Sequence, residues 1–178
     1  MSWLVDYEKL TSSKDGRTGQ KEIVNSIKDK ILDSSDNDTI VVKGPAGTGK
    51  TLVLAHIGLQ VPNKTGILFV YTKILVKFLR SAFVNSNRTE TLEQLGVDSF
   101  FQWLFRIYKN TFHEAAPDIE SFDEKTDYMI ERLSGKIKSR MYDYVLIDEG
   151  QDFRPSVIAF IRKITRVLER ILASCIRR

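Results

Sequence analysis

The chain has 178 residues, of which 42% are hydrophobic and 28% are charged, so one globular domain fits and a disordered or fibrous protein is excluded. No apolar run approaches the ~20 residues that a membrane-spanning helix needs, and Cys175 alone forms no internal disulfide, so we expect a cytoplasmic protein without a membrane partner. The formal net charge is +4, but residues 154–178 hold seven basic residues against Glu169 alone. The basic character is therefore local, and as a total it is weak support for nucleic-acid binding.

The first elements alternate between helix and strand. Residues 18–32 place isoleucines four residues apart, which predicts an amphipathic helix. Residues 39–43 form a β-branched run that is typical of a buried parallel strand. A glycine-rich segment follows at residues 44–51, and residues 52–59 predict a helix.

The same alternation continues through the rest of the chain. The predicted elements are a strand at 67–71, a helix at 74–83, an aromatic-rich helix opened by residues 97–100, an acidic loop at 113–127, a short helix at 128–133, a strand at 144–147 and helical spacing over 157–172. Repeated alternation predicts an α/β fold with a mostly parallel sheet. We expect residues 1–178 to form a single domain, with a short insertion at about 106–140.

The glycine-rich segment satisfies the pattern G-x-x-x-x-G-K-[ST] between a predicted strand and a predicted helix. Its glycines let successive backbone N–H groups point at phosphate oxygens, and the following helix adds its positive end. Lys50 is then expected to contact the β- and γ-phosphates of ATP, and the Thr51 hydroxyl to bind Mg²⁺. The expected nucleotide-binding residues are Gly44, Pro45, Ala46, Gly47, Thr48, Gly49, Lys50 and Thr51.

Two carboxylates end the strand at 144–147, where open α/β sheets place their ligands. We expect Asp148 to hold Mg²⁺ by way of water. Glu149 would polarise the water that attacks the γ-phosphate. A carboxylate next to the metal-binding one favours hydrolysis over transfer of phosphate to a small molecule.

The segment Asp148-Glu149-Gly150-Gln151-Asp152 resembles the D-E-x-Q-D signature of superfamily 1 helicases of the UvrD/Rep type. Together with the phosphate-binding loop, it makes a specific pair of motifs. The resemblance covers about residues 18–160 and implies the first RecA-like domain of such an enzyme, a three-layer P-loop NTPase fold. By position, Gln151 takes the role of coupling the nucleotide site to the strand-binding groove, and it joins Lys50 and Glu149 as a catalytic candidate.

Three weaker matches stand in the order that the resemblance implies. Gln20 is similar to the glutamine that reads adenine, since an amide can pair with both the donor and the acceptor on adenine's edge. Residues 71–73 and 97–100 look like the family's first two strand-binding motifs, which offer hydroxyl groups and a cation to backbone phosphates. The implied nucleic-acid contacts are Tyr71, Thr72, Lys73, Ser99 and Phe100, whereas Asp98 adds a negative charge that does not suit the role.

The family continues beyond D-E-x-Q-D with a helix, a strand ending in Gly-Asp-x-x-Gln and a second RecA-like domain. We expect none of this here, because the helical spacing runs almost to Arg178. The chain is then expected to supply half a nucleotide site and half a groove for single-stranded nucleic acid, with DNA the expected partner. A second RecA-like domain or a partner protein would complete the site.

Two other interpretations stay open. The chain could be a stand-alone nucleotide-binding module that acts through a protein partner without helicase activity. A phosphotransferase of the nucleotide-kinase type is disfavoured, since residues 149–152 do not suit it and no arginine-rich lid is evident.

Overall fold

The computed structural model describes residues 41–42, 50–61, 63–85, 94–137, 141–165 and 171–174, together with Asn25 and Asp29. Its strands are β1 (Val41–Val42), β2 (Gly66–Phe69), β3 (Leu95–Asp98), β4 (Tyr144–Ile147) and β5 (Ile171–Ser174). They form one sheet in the order β1-β5-β4-β2-β3, and every strand pair is parallel. The α/β fold with a mostly parallel sheet is confirmed.

Alternate side chains of the strands fill two separate cores, because successive residues of a strand point to opposite faces of the sheet. In β2, Leu68 packs in one core, and Ile67 and Phe69 pack in the other. In β4, Leu146 and Val145 divide between the two cores in the same way. Both faces are therefore covered, which explains the uninterrupted apolar runs of these strands.

Helices cover both faces and complete a three-layer domain. The helices are α1 (Lys50–Leu59), α2 (Lys73–Asn85), α3 (Phe100–Phe112), α4 (Phe122–Lys136) and α5 (Pro155–Ile164). Buried residues of α1 and α2 belong to the first core, and buried residues of α3, α4 and α5 belong to the second. The carboxyl ends of the parallel strands consequently share one edge, where the connections to α1, α2 and α3 begin.

Short polar side chains fix where three helices begin. The hydroxyl oxygen of Thr72 accepts a hydrogen bond from the backbone N–H of Leu75 at the start of α2. Ser99 and Ser121 cap α3 and α4 in the same way, each accepting from the N–H three residues on. Each cap satisfies one N–H group that the first turn leaves without a helical partner.

Two predicted boundaries in the middle of the chain are wrong. Residues 95–98 form the strand β3, and the helix begins only after the Ser99 cap. Residues 122–127, predicted as loop, belong to α4, where Asp123 and Glu124 suit a first helical turn. The interpretation of residues 106–140 as an insertion stays a prediction.

The predicted helix over residues 157–172 is confirmed for residues 157–164 but wrong at its end, because α5 ends at Ile164 and residues 171–174 form β5. Thr165 has extended backbone angles and ends the helix. A short buried parallel strand carries the same continuous apolar residues as a buried helix, so periodicity alone does not separate the two. The expected helix thus follows the acidic motif, and the strand after it is contrary to expectation.

Most of the predicted helix over residues 18–32 lies outside the described residues, although Asn25 and Asp29 are both helical. Within the part of the chain that the structure describes, no helix is long and apolar enough to cross a membrane.

Candidate nucleotide site and adjoining pocket

The first turn of α1 meets the end of β4. The Thr51 hydroxyl donates a hydrogen bond of 2.8 Å to the Asp148 carboxylate, across 97 residues of sequence. Asp148 is 3% exposed, and its backbone N–H extends the sheet by donating to the Phe69 carbonyl. The two residues expected to hold the metal are thus in contact, next to Lys50, the first residue of α1.

Glu149 occupies a sharp turn after β4. Its backbone is left-handed, with φ of 56°, a conformation uncommon for a residue other than glycine and often found at functional sites. A short 3-10 turn, Gly150–Asp152, follows at once. The Gln151 amide donates to the Glu149 carboxylate, so the side chain of the catalytic candidate is held by its neighbour two residues on.

The oxygen atoms of this site suit Mg²⁺. A threonine hydroxyl and an aspartate carboxylate are hard oxygen donors, and Mg²⁺ commonly takes one or two such groups while it keeps several waters and phosphate oxygens. The described residues include no group of three or more His, Cys, Asp or Glu side chains arranged to hold a metal. The contact of the Thr51 hydroxyl with the Asp148 carboxylate fits a Mg²⁺ ion that is shared with a phosphate.

A pocket of about 510 Å³ opens at the carboxyl ends of β2 and β3. It combines an ammonium group, a hydroxyl and an amide with four aromatic rings. The lining residues are Tyr71, Lys73, Ser99, Phe101, Gln102, Phe105 and Phe122. Tyr71 and Phe122 are 59% and 48% exposed, so two of the rings are open to solvent. Exposed aromatic rings beside a cation are the groups that proteins use to stack bases and hold phosphates of a single strand.

Three of the five predicted nucleic-acid contacts line this pocket: Tyr71, Lys73 and Ser99. Thr72 is exposed and caps α2. Phe100 needs a correction, because it is 1% exposed and packs in the core against Phe69 and Phe153. The next residue, Phe101, is the one whose ring reaches the pocket.

Asp98 ends β3 and is buried with its charge compensated by an ion pair. The Asp98 carboxylate forms an ion pair of 2.6 Å with Arg106 in the second turn of α3. It also accepts a hydrogen bond from the Ser99 N–H. Nearby, the Trp103 indole donates to the Tyr142 oxygen at 2.9 Å. Burial raises the pKa of Tyr142, and the bond from Trp103 opposes that rise. The negative charge that did not suit strand binding is therefore compensated within the protein.

Several predicted nucleotide-binding residues lie outside the described residues. These are Gln20, Gly44, Pro45, Ala46, Gly47, Thr48 and Gly49. Their expected contacts with adenine and with phosphates stay predictions.

Four pocket residues were not among the predicted contacts: Phe101, Gln102, Phe105 and Phe122. Phe101 and Phe105 are four residues apart and therefore share one face of α3, and Gln102 is adjacent to Phe101. This spacing could have placed that helix face beside Ser99. Phe122 comes from α4, whose start was predicted as loop, so nothing in the sequence pointed to it.

A parallel sheet covered by helices, a G-x-x-x-x-G-K-[ST] segment entering α1, and the contact of Thr51 with Asp148 together define a P-loop NTPase domain. A family model described as an AAA domain matches residues 33–176, which is most of the chain, and the chain belongs to this family. AAA domains are P-loop NTPases, which generally bind ATP with Mg²⁺. No curated protein matches the chain.

Proposed function

We propose that the chain is the ATP-binding and ATP-hydrolysing domain of a superfamily 1 helicase of the UvrD/Rep type. In the whole enzyme, it would couple hydrolysis to movement along single-stranded nucleic acid. The observation that carries the proposal is the 2.8 Å hydrogen bond from Thr51 to Asp148, because it joins the two motifs that such an enzyme needs at one triphosphate. The D-E-x-Q-D sequence of residues 148–152 supports the helicase class.

In this proposal each residue has one task. Lys50 binds the β- and γ-phosphates, and Thr51 and Asp148 hold the magnesium ion, which when bound neutralises phosphate charge. Glu149 accepts a proton from the attacking water, and its carboxylate is held for that purpose by the Gln151 amide. Gln20 reads adenine. A second RecA-like domain or a partner protein would supply further cationic groups to the transferring phosphoryl.

The pocket beside the nucleotide site is proposed to hold the single strand. Ser99 lines the pocket, but it is 6% exposed and its hydroxyl is hydrogen-bonded to Gln102 at the cap of α3. Lys73 offers a cation to a backbone phosphate, and the exposed Tyr71 ring offers a stacking surface to a base. These contacts recognise phosphates and flat rings, so they hold a strand of any sequence. We propose DNA as the strand, and a cytoplasmic location stays a prediction.

A second candidate function is a nucleotide-binding module that acts through a protein partner. One observation favours it: α2 exposes apolar side chains, with Ile74 81% and Phe78 52% exposed. Large exposed apolar side chains on one helix are typical of a contact surface. Under this hypothesis, single-stranded DNA has no effect on the nucleotide site.

The ATPase rate with and without single-stranded oligothymidylate separates the two candidates. For a helicase domain, we expect the oligonucleotide to raise the rate, and the increase to weaken with salt because phosphate contacts release counterions. Lys50→Ala should abolish hydrolysis and weaken ATP binding at least tenfold. Lys73→Ala should remove most of the stimulation but keep the unstimulated rate.

Lys77→Ala is the matched control, because Lys77 lies one turn further along α2, is exposed and does not line the pocket. It should behave as wild type. A Lys50→Ala chain that binds ATP as tightly as wild type would refute the phosphate-binding role. A wild-type rate that no single strand alters would favour the partner-dependent module.

A further inference from the structure

The residues that follow the turn with Glu149 and Gln151 are joined to α4 by a set of polar contacts. The Arg154 guanidinium donates to the Asp127 carboxylate and to the Asp123 carbonyl, both at 2.8 Å. Its Nε atom lies 3.4 Å from the Asp123 carboxylate, and Ser156 donates to the other Asp127 oxygen at 2.7 Å. We call Arg154, Ser156, Asp123 and Asp127 the Arg154 clamp.

A chain of aromatic rings runs alongside this clamp. Phe153, between the acidic motif and Arg154, packs with its ring centre 6.3 Å from that of Phe101. Phe101 in turn packs 4.8 Å from Phe122, the first residue of α4. Phe101 and Phe122 both line the pocket. The first two turns of α4 therefore contribute Phe122 to the wall of the pocket and Asp123 and Asp127 to the clamp.

The contribution of the clamp to stability does not explain why these four residues are arranged as they are. The far part of α4 is already fixed by buried apolar residues, among them Met129 and Leu133, packed in the second core. The clamp lies at the other end, with the Arg154 side chain 33% and the Asp127 side chain 46% exposed, and ion pairs this exposed contribute little to stability. A planar guanidinium with several fixed donors sets the relative orientation of two elements, which a single point charge does not.

We propose that the Arg154 clamp couples the pocket to residues 149–153, which we call the Glu149 turn. When a ligand binds in the pocket, α4 transmits the effect to this turn. A base seated against Phe101 and Phe122 moves the first turn of α4, and Arg154 transmits this movement to residues 149–153. Arg154 is thus a positioning residue that touches neither ATP nor the strand. The inference rests on the proposed function, in which the pocket holds a single strand and the turn serves ATP.

The test measures coupling between two ligands at equilibrium. The affinity of the full chain for a fluorescent non-hydrolysable ATP analogue with Mg²⁺ is determined with and without saturating oligothymidylate. Typical coupling between sites changes affinity 5- to 150-fold, and the reverse titration must give the same factor. We expect a factor of about five or more in the wild type, and a factor below about two in Asp127→Asn and in Arg154→Lys.

Three controls separate positioning from folding. Each clamp variant should bind the ATP analogue alone, and the oligonucleotide alone, within about twofold of wild type. Arg154→Lys keeps the positive charge at the start of α5, so it stays informative if Asp127→Asn fails to fold. Glu114→Gln removes a different ion pair of α4, that of Arg132 with Glu114, which shares no residue with the clamp, and should keep the wild-type factor.

Clamp variants that keep the wild-type coupling factor overturn the inference. A wild-type chain that binds both ligands without coupling also overturns it and leaves the proposed function intact. A folded wild-type chain that binds neither ligand refutes the proposed function, and the inference falls with it.

Discussion

Glu149 lies at a position proposed for catalysis, and its backbone conformation there is unfavourable. A left-handed conformation costs roughly 1–2 kcal/mol for a residue that carries a Cβ atom, and glycine avoids this cost. The turn at φ of 56° nevertheless carries a glutamate, whose side chain is held by Gln151. A glutamate at this position therefore lowers stability relative to glycine, as expected if the carboxylate has the proposed role in hydrolysis.

The backbone strain can be measured with two substitutions that both remove the carboxylate. We expect Glu149→Gly to have a free energy of unfolding about 1 kcal/mol higher than Glu149→Ala, because only glycine adopts the turn freely. At Glu131, an exposed interior position of α4, the order should reverse by about 1 kcal/mol because alanine is the better helix former. Urea unfolding of the four variants checks both. Equal stability of the two variants at position 149 would exclude strain there.

Single residues were predicted well where a motif fixes the chemistry and poorly where packing decides. The sequence placed Thr51 and Asp148 at one site because each type of loop allows few residue types, and their side chains are in contact. The sequence could not distinguish Phe100 from Phe101. Both are adjacent aromatics after a cap, and only the position of α3 against the sheet buries one and exposes the other.

The strand β5 is the element whose position most changes the interpretation of the chain. It lies between β1 and β4, and Ala173 is in register with both Val41 and Ile147. This strand separates the strand that leads into the phosphate-binding loop from the strand that ends in Asp148. The distance between the start of α1, which carries Thr51, and the end of β4, which precedes Asp148, therefore depends on β5.

Proline at position 173 distinguishes a central strand from the helix that periodicity predicted. In a strand paired on both edges, proline removes a ladder hydrogen bond and introduces a clash, so Ala173→Pro should lower the free energy of unfolding by about 3 kcal/mol. A helix ending at residue 172 would tolerate proline at the next position. Urea unfolding measures the difference, and a variant as stable as wild type would exclude β5 from the sheet.

Elements were predicted best where a strand or helix lies next to a motif. The strand β4 was predicted with its observed bounds because an apolar run ends abruptly in two carboxylates. The strand β3 and the start of α4 were missed, each for a different reason. Gly96 interrupts the apolar pattern of β3, and the first turn of α4 is acidic and largely exposed.

Burial of a tyrosine links the stability of the whole domain to pH. Tyr144 is 1% exposed and donates a hydrogen bond to the Gly58 carbonyl, so the side chain joins β4 to α1. Burial raises the pKa of the Tyr144 phenol above its ordinary value. Above pH ~10 the unfolded chain loses this proton while the folded chain keeps it, so the unfolded state binds fewer protons and stability falls as pH rises.

Tyr144→Phe tests this dependence. Each such group lowers the free energy of unfolding by up to ~1.4 kcal/mol per pH unit once the unfolded phenol has ionised. The variant should therefore lose stability less steeply than wild type between pH 10 and 11, as measured by urea unfolding at each pH. Tyr128→Phe, at a position 41% exposed, is the matched control and should follow the wild-type profile. Parallel profiles for Tyr144→Phe and wild type would contradict the assignment.

The place of β5 in the sheet also bears on how the protein is made. Translation delivers β1 early and residues 171–174 some 130 residues later, yet the late strand must enter between β1 and β4. On a ribosome, β2, β3 and β4 can assemble first, while β1 waits for its neighbour. If the nucleotide site depends on this strand order, it forms only after residues 171–174 have emerged, so nascent chains stalled before residue 171 should fail to bind ATP.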